Sequence, residues 1–492
     1  MNIMKNLVEH YADQVISTNQ TYRPMDRTYL INYLYHLVGE GNVEGNAEYD
    51  ALLETVSQLI NVAIRNGKID DTLKNRELLE AELTNLYTPL PSTVNERFWN
   101  LYHNSPEQAT DYFYQLSQQN NYIKTERIKK NLHWDTATKF GNLEITINLS
   151  KPEKDPKDIT KAGQNTHFGY PECNLCAQTE GYYGNAQVPV RVNHRIIDLL
   201  IGGKSWGFQY SPYAYFDQHC IFLDDVHEPM KISAQTFSNL IEIVQMFPTY
   251  FVGSNADLPI VGGSILSHEH YQGGYHTFPM MKANARFGFA VDGYPDVKAE
   301  VLNWPMSTIR LTGTDTHELI DLATHILNKW QKYSDPSVDV RAETNGEPHH
   351  TVTPIVRMND QGQFEAYVVL RDNQTSAKYP DGIFHPHAEY QHIKKENIGL
   401  IEVMGRAILP ARLKSELAEV KKDLLGQPNN IADYHIPWAK QLKQNYNLNP
   451  DNVQDVIDKE VGITFMHVLE NAGVFKLDDK GTAAFHKFID TL

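Results

Sequence analysis

Cysteine is scarce in this chain. Only Cys173, Cys176 and Cys220 occur in 492 residues, which excludes a disulfide framework and fits a reducing cytoplasm. Long apolar runs are missing too. None approaches the ~20 residues a membrane helix needs, so no span is expected. The start Met1-Asn2-Ile3-Met4-Lys5, followed by Glu9, His10 and Asp13, predicts no secretory signal. Positive charge is in short supply: 44 Lys and Arg against 61 Asp and Glu give a net charge of -17. That balance argues against a general nucleic-acid or anionic-membrane surface. It also means that any anionic substrate must be held by local basic groups or backbone N–H donors. No fixed short repeat is visible.

What remains is ordinary globular material, 41% hydrophobic and 21% charged, long enough for two or three domains. Residues 1–130 read as a helical N-terminal domain, without a chemical motif. Leu78, Leu79, Ala81 and Leu83 mark one helix. Ser105-Pro106-Glu107-Gln108 opens another, with Ser as cap, Pro at the first position and Gln completing a capping box; Ala109, Tyr112, Phe113 and Leu116 follow at helical spacing. The texture changes at Trp134. Leu143, Ile145, Ile147 and Leu149 alternate with polar residues and predict a strand, and Ser150 to Lys157 a polar loop. Ser233 caps a predicted helix with Phe237, Leu240, Ile241 and Val244 on one stripe. A second α+β portion begins near Met281. In it Thr351 to Arg357 and Phe364 to Leu370 read as paired strands around Asp360-Gln361-Gly362-Gln363. The expected units are 1–130, 131–280 and 281–492.

Chemistry concentrates in Gly262-Gly263-Ser264-Ile265-Leu266-Ser267-His268-Glu269-His270-Tyr271-Gln272-Gly273-Gly274. Ile265 and Leu266 between glycine pairs predict a short strand. Alternation then puts His268, His270 and Gln272 on one side, about 6.6 Å apart. One histidine can bind a metal while its neighbour attacks an electrophile, and the Gln amide can donate to an oxygen that gains charge. The glycines, lacking Cβ, let a bulky anion approach the backbone. Cys173-Asn174-Leu175-Cys176 is a C-x-x-C knuckle, half of a zinc site in a cytosolic chain. Cys220 reads as a buried small hydrophobe.

The run from Asp257 to Gly274 resembles the signature of the second class of galactose-1-phosphate uridylyltransferases, the type of low-GC Gram-positive bacteria. The first class carries H-P-H-x-Q there, and both sit in the histidine-triad superfamily. A weaker likeness extends from about Trp134 to Arg412; the first hundred residues do not resemble the first class.

The resemblance implies two antiparallel, histidine-triad-like lobes with packed helices, only the first keeping the nucleophile motif, and a homodimer. It implies that UMP passes from UDP-glucose to galactose 1-phosphate through a covalent uridylyl-histidine. His270 would be the nucleophile and Gln272 the donor to a non-bridging oxygen. It adds His227, in His219 to Pro229, and His268 to Cys173 and Cys176 as ligands of a closed structural zinc. Asn255, Gly262, Gly263 and Ser264 fall where the family holds uridine and phosphate. Glu402 resembles a sugar-binding carboxylate, Lys395 an accompanying phosphate contact, and Arg357 a weaker one.

Two departures stand out. The glutamate of a second metal site in the first class falls near Arg286, which cannot ligate. His349-His350 only echo its histidines. Phe384-His385-Pro386-His387-Ala388-Glu389 mimics the first-class motif but puts Glu389 where Gln is needed and lacks the glycines; it reads as a decoy. The competing readings are a histidine-triad nucleotide hydrolase or phosphorylase and a zinc-stapled binding protein. The hydrolases usually keep a third histidine where Gln272 stands, which favours transfer. The binding reading leaves Gln272 unexplained.

Overall fold

A computed structural model describes residues 4–18, 21–46, 51–150, 169–185, 187–263 and 265–492. Most of the expected 150–157 loop lies outside the described residues. The protein is α+β and its large sheet is antiparallel, as expected. Ten strands build that sheet: β1 (Ile197–Ile201), β2 (Lys204–Tyr210), β3 (Cys220–Asp224), β4 (Phe251–Gly253), β5 (His270–Gly274), β6 (Ala285–Phe289), β7 (Lys298–Leu302), β8 (Thr308–Gly313), β9 (His350–Met358) and β10 (Phe364–Asp372). Helix α1 (Ala234–Met246) lies between β3 and β4, and α2 (Thr316–Trp330) between β8 and β9.

The spatial order is β1-β2-β3-β5-β4-β9-β10-β8-β7-β6. Each half therefore has the same plan: three strands, a helix, then two strands, with the last strand inserted beside the third. The halves meet where β4 pairs β9 through Gly253–Ile355 and Val252–Val356. They are two lobes of one continuous sheet.

Each helix forms because its cap and stripe agree. Ser233 sits at the N-cap of α1, where its backbone N–H donates to Thr236 Oγ1 at 3.0 Å; Phe237, Leu240, Ile241 and Val244 are buried. Asp315 caps α2 by accepting from His317 N at 2.8 Å, and Leu319, Leu322, Ile326 and Trp330 are buried. Both helices cover one sheet face, against Phe208, Phe222, Val252, Val356 and Val368.

A second layer covers the other face of the β6–β10 half. It comprises a small sheet of Leu132–Thr138, Gly141–Ile147 and Arg406–Leu409, and helices Arg412–Leu424, Ile436–Asn445 and Val453–Ala472. Leu143, Ile145 and Ile147 point into this core with Ile355, Tyr367 and Val369. Leu149 falls beyond the strand end at Ile147, so the expected strand is shorter. Being covered twice, β10 is buried throughout, which is why it reads as an apolar run.

The N-terminal region is helical, with one short strand pair among the described residues, Met4–Asn6 with Glu44–Asn46. Its own core runs from Leu7 to Tyr87. Helices Pro91–Tyr102 and Pro106–Gln119 instead send Phe98 and Phe113 into the sheet core. Ser105 caps the second of these, accepting from Gln108 N at 3.3 Å. The expected return bond from Gln108 does not form. Ser105 Oγ donates to Glu107 at 2.5 Å instead.

Candidate active site

The signature strand begins at His270, not at Ile265; Ile265 and Leu266 lie in the loop before it. That loop is pinned at Met230 N to Leu266 O, 2.9 Å. In β5 the side chains alternate. Tyr271 packs against Trp206 on the helix face, while His270 and Gln272 face the opposite way, into a cleft of about 590 Å³. Ile221, opposite Gln272 in the ladder, lines it too.

His270 is buried, and its Nδ1 donates to the backbone oxygen of His268 at 2.7 Å. Nε2 is thereby left as the lone-pair nitrogen. Burial pushes the His270 pKa down, the anchor to His268 O resisting, so the ring is neutral at pH 7 and able to attack. Gln272 Oε1 accepts from His219 Nε2 at 3.1 Å, which leaves the amide NH2 for the cleft.

His268 turns the other way. Its Nε2 donates to Asp224 O at 2.7 Å, so Nδ1 carries the lone pair, 3.2 Å from Cys173 Sγ and 3.7 Å from Cys176 Sγ. His227 Nδ1 lies 3.2 Å from Cys176 Sγ, and the thiols are 3.5 Å apart. All four donor atoms sit within 4.8 Å of one another. The Cys176 thiol depresses the Cys173 pKa, with His268 reinforcing it against burial. Two soft thiols and two imidazoles, one oriented by a backbone carbonyl, fit a tetrahedral metal.

The far wall comes from residues after β10. Lys394 is buried, and its Nζ meets Glu402 Oε1 at 2.5 Å and Glu396 Oε2 at 3.5 Å. Burial opposes its charge, but the two carboxylates outweigh burial and hold the ammonium above the ordinary lysine range. Glu402 Oε2 accepts from Gly399 N at 2.9 Å. Asn255 Oδ1 accepts from Leu400 N at 2.9 Å, tying this wall to the signature loop.

Asn255, Gly262, Gly263, His270, Gln272 and Glu402 all line the one cleft. Ser264 lies outside the described residues. Lys395 does not join them. It is exposed and lines a separate hollow with Arg412, Tyr434 and Trp438. Its neighbour Lys394 occupies the cleft, because a one-residue step in this turn reverses which side chain points inward. Arg357 is likewise elsewhere, paired with Glu365 at 2.7 Å.

Gly262 and Gly263 are closely packed by the protein itself. A Cβ on Gly262 would stand 2.5 Å from Ala256 O, and one on Gly263 2.8 Å from Asn255 Nδ2. Their missing Cβ atoms admit the protein's own backbone and amide, and both residues still line the cleft. Arg286 donates to Thr482, and His350 stacks on Trp330 and pairs with Asp372 at 3.1 Å. In the mimic motif His385 meets Asn397 Oδ1 at 3.2 Å, and His387 meets Ile383 O at 3.0 Å.

The descriptions "Galactose-1-phosphate uridyl transferase, N-terminal domain" and "C-terminal domain" match residues 20–229 and 242–440. Proteins named galactose-1-phosphate uridylyltransferase are similar along the whole length. The one from Lacticaseibacillus paracasei is 55% identical over 485 residues, covering 99% of each chain. The one from Lactiplantibacillus plantarum is 57% identical over 483 residues, covering 98% of each. Among solved structures, a yeast Ap4A phosphorylase aligns at 9% identity over 65% of this chain and 90% of its own, with a TM-score of 0.35, too slight to carry an argument. With cleft, histidine pair and full-length likeness in agreement, the chain belongs to the galactose-1-phosphate uridylyltransferase family.

Proposed function

We propose that this chain transfers UMP from UDP-glucose to galactose 1-phosphate by double displacement. The observation that carries the reading is His270: neutral, anchored through Nδ1, and set in the cleft beside the Gln272 amide. His270 Nε2 attacks the α-phosphorus of UDP-glucose. The bond to the bridging oxygen breaks, and glucose 1-phosphate leaves with the electron pair. The phosphate oxygen of galactose 1-phosphate then attacks the uridylyl-histidine, releasing UDP-galactose and restoring the imidazole. Two easier steps replace one hard displacement.

Gln272 donates to a non-bridging oxygen as charge builds. Asn255, Gly262, Gly263 and Ser264 hold uridine and phosphate. Glu402, fixed by Lys394 and Gly399 N, accepts from a sugar hydroxyl, and Lys394 offsets substrate charge. Cys173, Cys176, His227 and His268 hold one zinc ion, which stiffens the chain beside the nucleophile and takes no part in a step. The units 1–130, 131–280 and 281–492 are a helical N-terminal domain, a lobe with the nucleophile and zinc site, and a second histidine-triad-like lobe of a cytoplasmic homodimer.

Intact-mass measurement after adding UDP-glucose alone tests the mechanism. One uridylyl group should appear on His270, and His270→Gly should abolish adduct and turnover while keeping metal and fold. An adduct on His268, or full activity without His270, would overturn it.

A further inference from the structure

Resting on that reading, we infer that His219 is a positioning residue: its Nε2–H holds the Gln272 amide in the one orientation that presents NH2 to the phosphoryl oxygen. His219 immediately precedes β3. In the β3–β5 ladder Ile221 stands opposite Gln272, so His219 is its diagonal neighbour on the same face. The ring packs against Phe216 and Tyr215, at centroid distances of 4.6 and 5.5 Å.

A free Gln amide has two orientations related by a half turn. One points two N–H donors at the substrate; the other points a carbonyl oxygen, which repels an anionic phosphoryl group. Something must select between them. His219 Nε2 lies 3.1 Å from Gln272 Oε1. The ring is fully buried and carries one proton, because burial pushes its pKa down to about 4, with Arg406 opposing protonation further.

Proton accounting places that proton. Nδ1 is buried and has no hydrogen-bond partner among the described residues. A proton there would be an orphaned N–H donor, whereas a bare lone pair is the milder deficit. The proton therefore sits on Nε2 and donates to Oε1. The amide cannot turn without facing one N–H donor with another.

Three measurements test this. His219→Phe keeps the stacked ring and removes the donor; kcat should fall about 10- to 100-fold with KM within about twofold, less than the loss of the Gln272 donor itself. His219→Gln, which keeps an N–H donor, should restore most of the rate. In a Gln272→Ala background His219→Phe should cost less than about twofold more, since the amide it orients is gone. A merely structural histidine predicts losses that multiply, and that outcome overturns the inference, as does an active His219→Phe variant.

Nitrogen NMR of histidine-labelled wild-type protein needs no variant to fold. It should show His219 protonated at Nε2 and bare at Nδ1; the opposite tautomer overturns the inference. If UDP-glucose leaves no adduct on His270, the proposed reaction fails, and the tautomer still decides the arrangement of His219.

Discussion

At the scale of single residues, the site depends on close approaches that tolerate no extra atom. Gly263→Ala would drive a methyl group into Asn255, whose Oδ1 holds Leu400 N. The far wall then shifts against His270, and kcat/KM should drop about 10- to 100-fold through misplacement alone. Steady-state kinetics with both substrates checks this; an unchanged constant would show the Asn255 link to be idle.

His219 also sets an acid limit. The unfolded chain takes up this proton near pH 6.5, the folded chain only near 4. Unfolded protein thus binds more protons between these values. Its contribution to stability is full above about pH 6.5 and fades as pH falls to 4, on the order of 3 kcal/mol in all. Unfolding free energies followed from pH 7 to 4 should fall with decreasing pH, and the slope should be shallower in His219→Phe. Equal slopes in the two proteins would remove this account.

At the scale of elements, the long helix Val453–Ala472 lies unusually close to strand Leu132–Thr138. A Cβ on Gly462 would sit 2.1 Å from Thr136 Oγ1 and 2.3 Å from its Cβ. In an open helix Gly→Ala stabilises by up to about 1 kcal/mol. Here overpacking decides the sign, and Gly462→Ala should destabilise by about 1–3 kcal/mol. Thr136→Gly in the same chain should recover part of that, because only glycine removes the offending Cβ. Thermal melts of the two variants settle it; a melting temperature raised by Gly462→Ala would refute the contact.

At the scale of the whole molecule, the cysteine–histidine cluster and the proposed nucleophile are joined by one residue. His268 points Nδ1 at the thiols, and its backbone oxygen anchors His270. Chelation should therefore remove one zinc per chain, lower the melting temperature by mass action, and lower the rate although no step passes through the metal. Elemental analysis beside an activity assay tests this. Metal-free protein with a full rate would separate the two sites. Sedimentation should read twice the chain mass if the proposed dimer holds.

Local chemistry was legible from residues 173–176 and 262–274. Ligand types, the H-x-H-x-Q spacing and the resemblance they carry are properties of neighbours along the chain. Helix stripes such as Phe237 to Val244 were legible for the same reason, since periodicity reports the face that is buried. Tertiary structure alone decided the rest. Whether Lys394 or Lys395 enters the cleft turns on one residue of phase in a loop, which has no periodicity to read. That His219 meets Gln272 follows from the β3–β5 register, and that the glycines admit Asn255 and Ala256 O follows from packing. The joining of two like halves at β4 and β9 is a pairing between residues about a hundred positions apart. Such contacts depend on which surfaces meet once the chain is folded, and no local pattern encodes them.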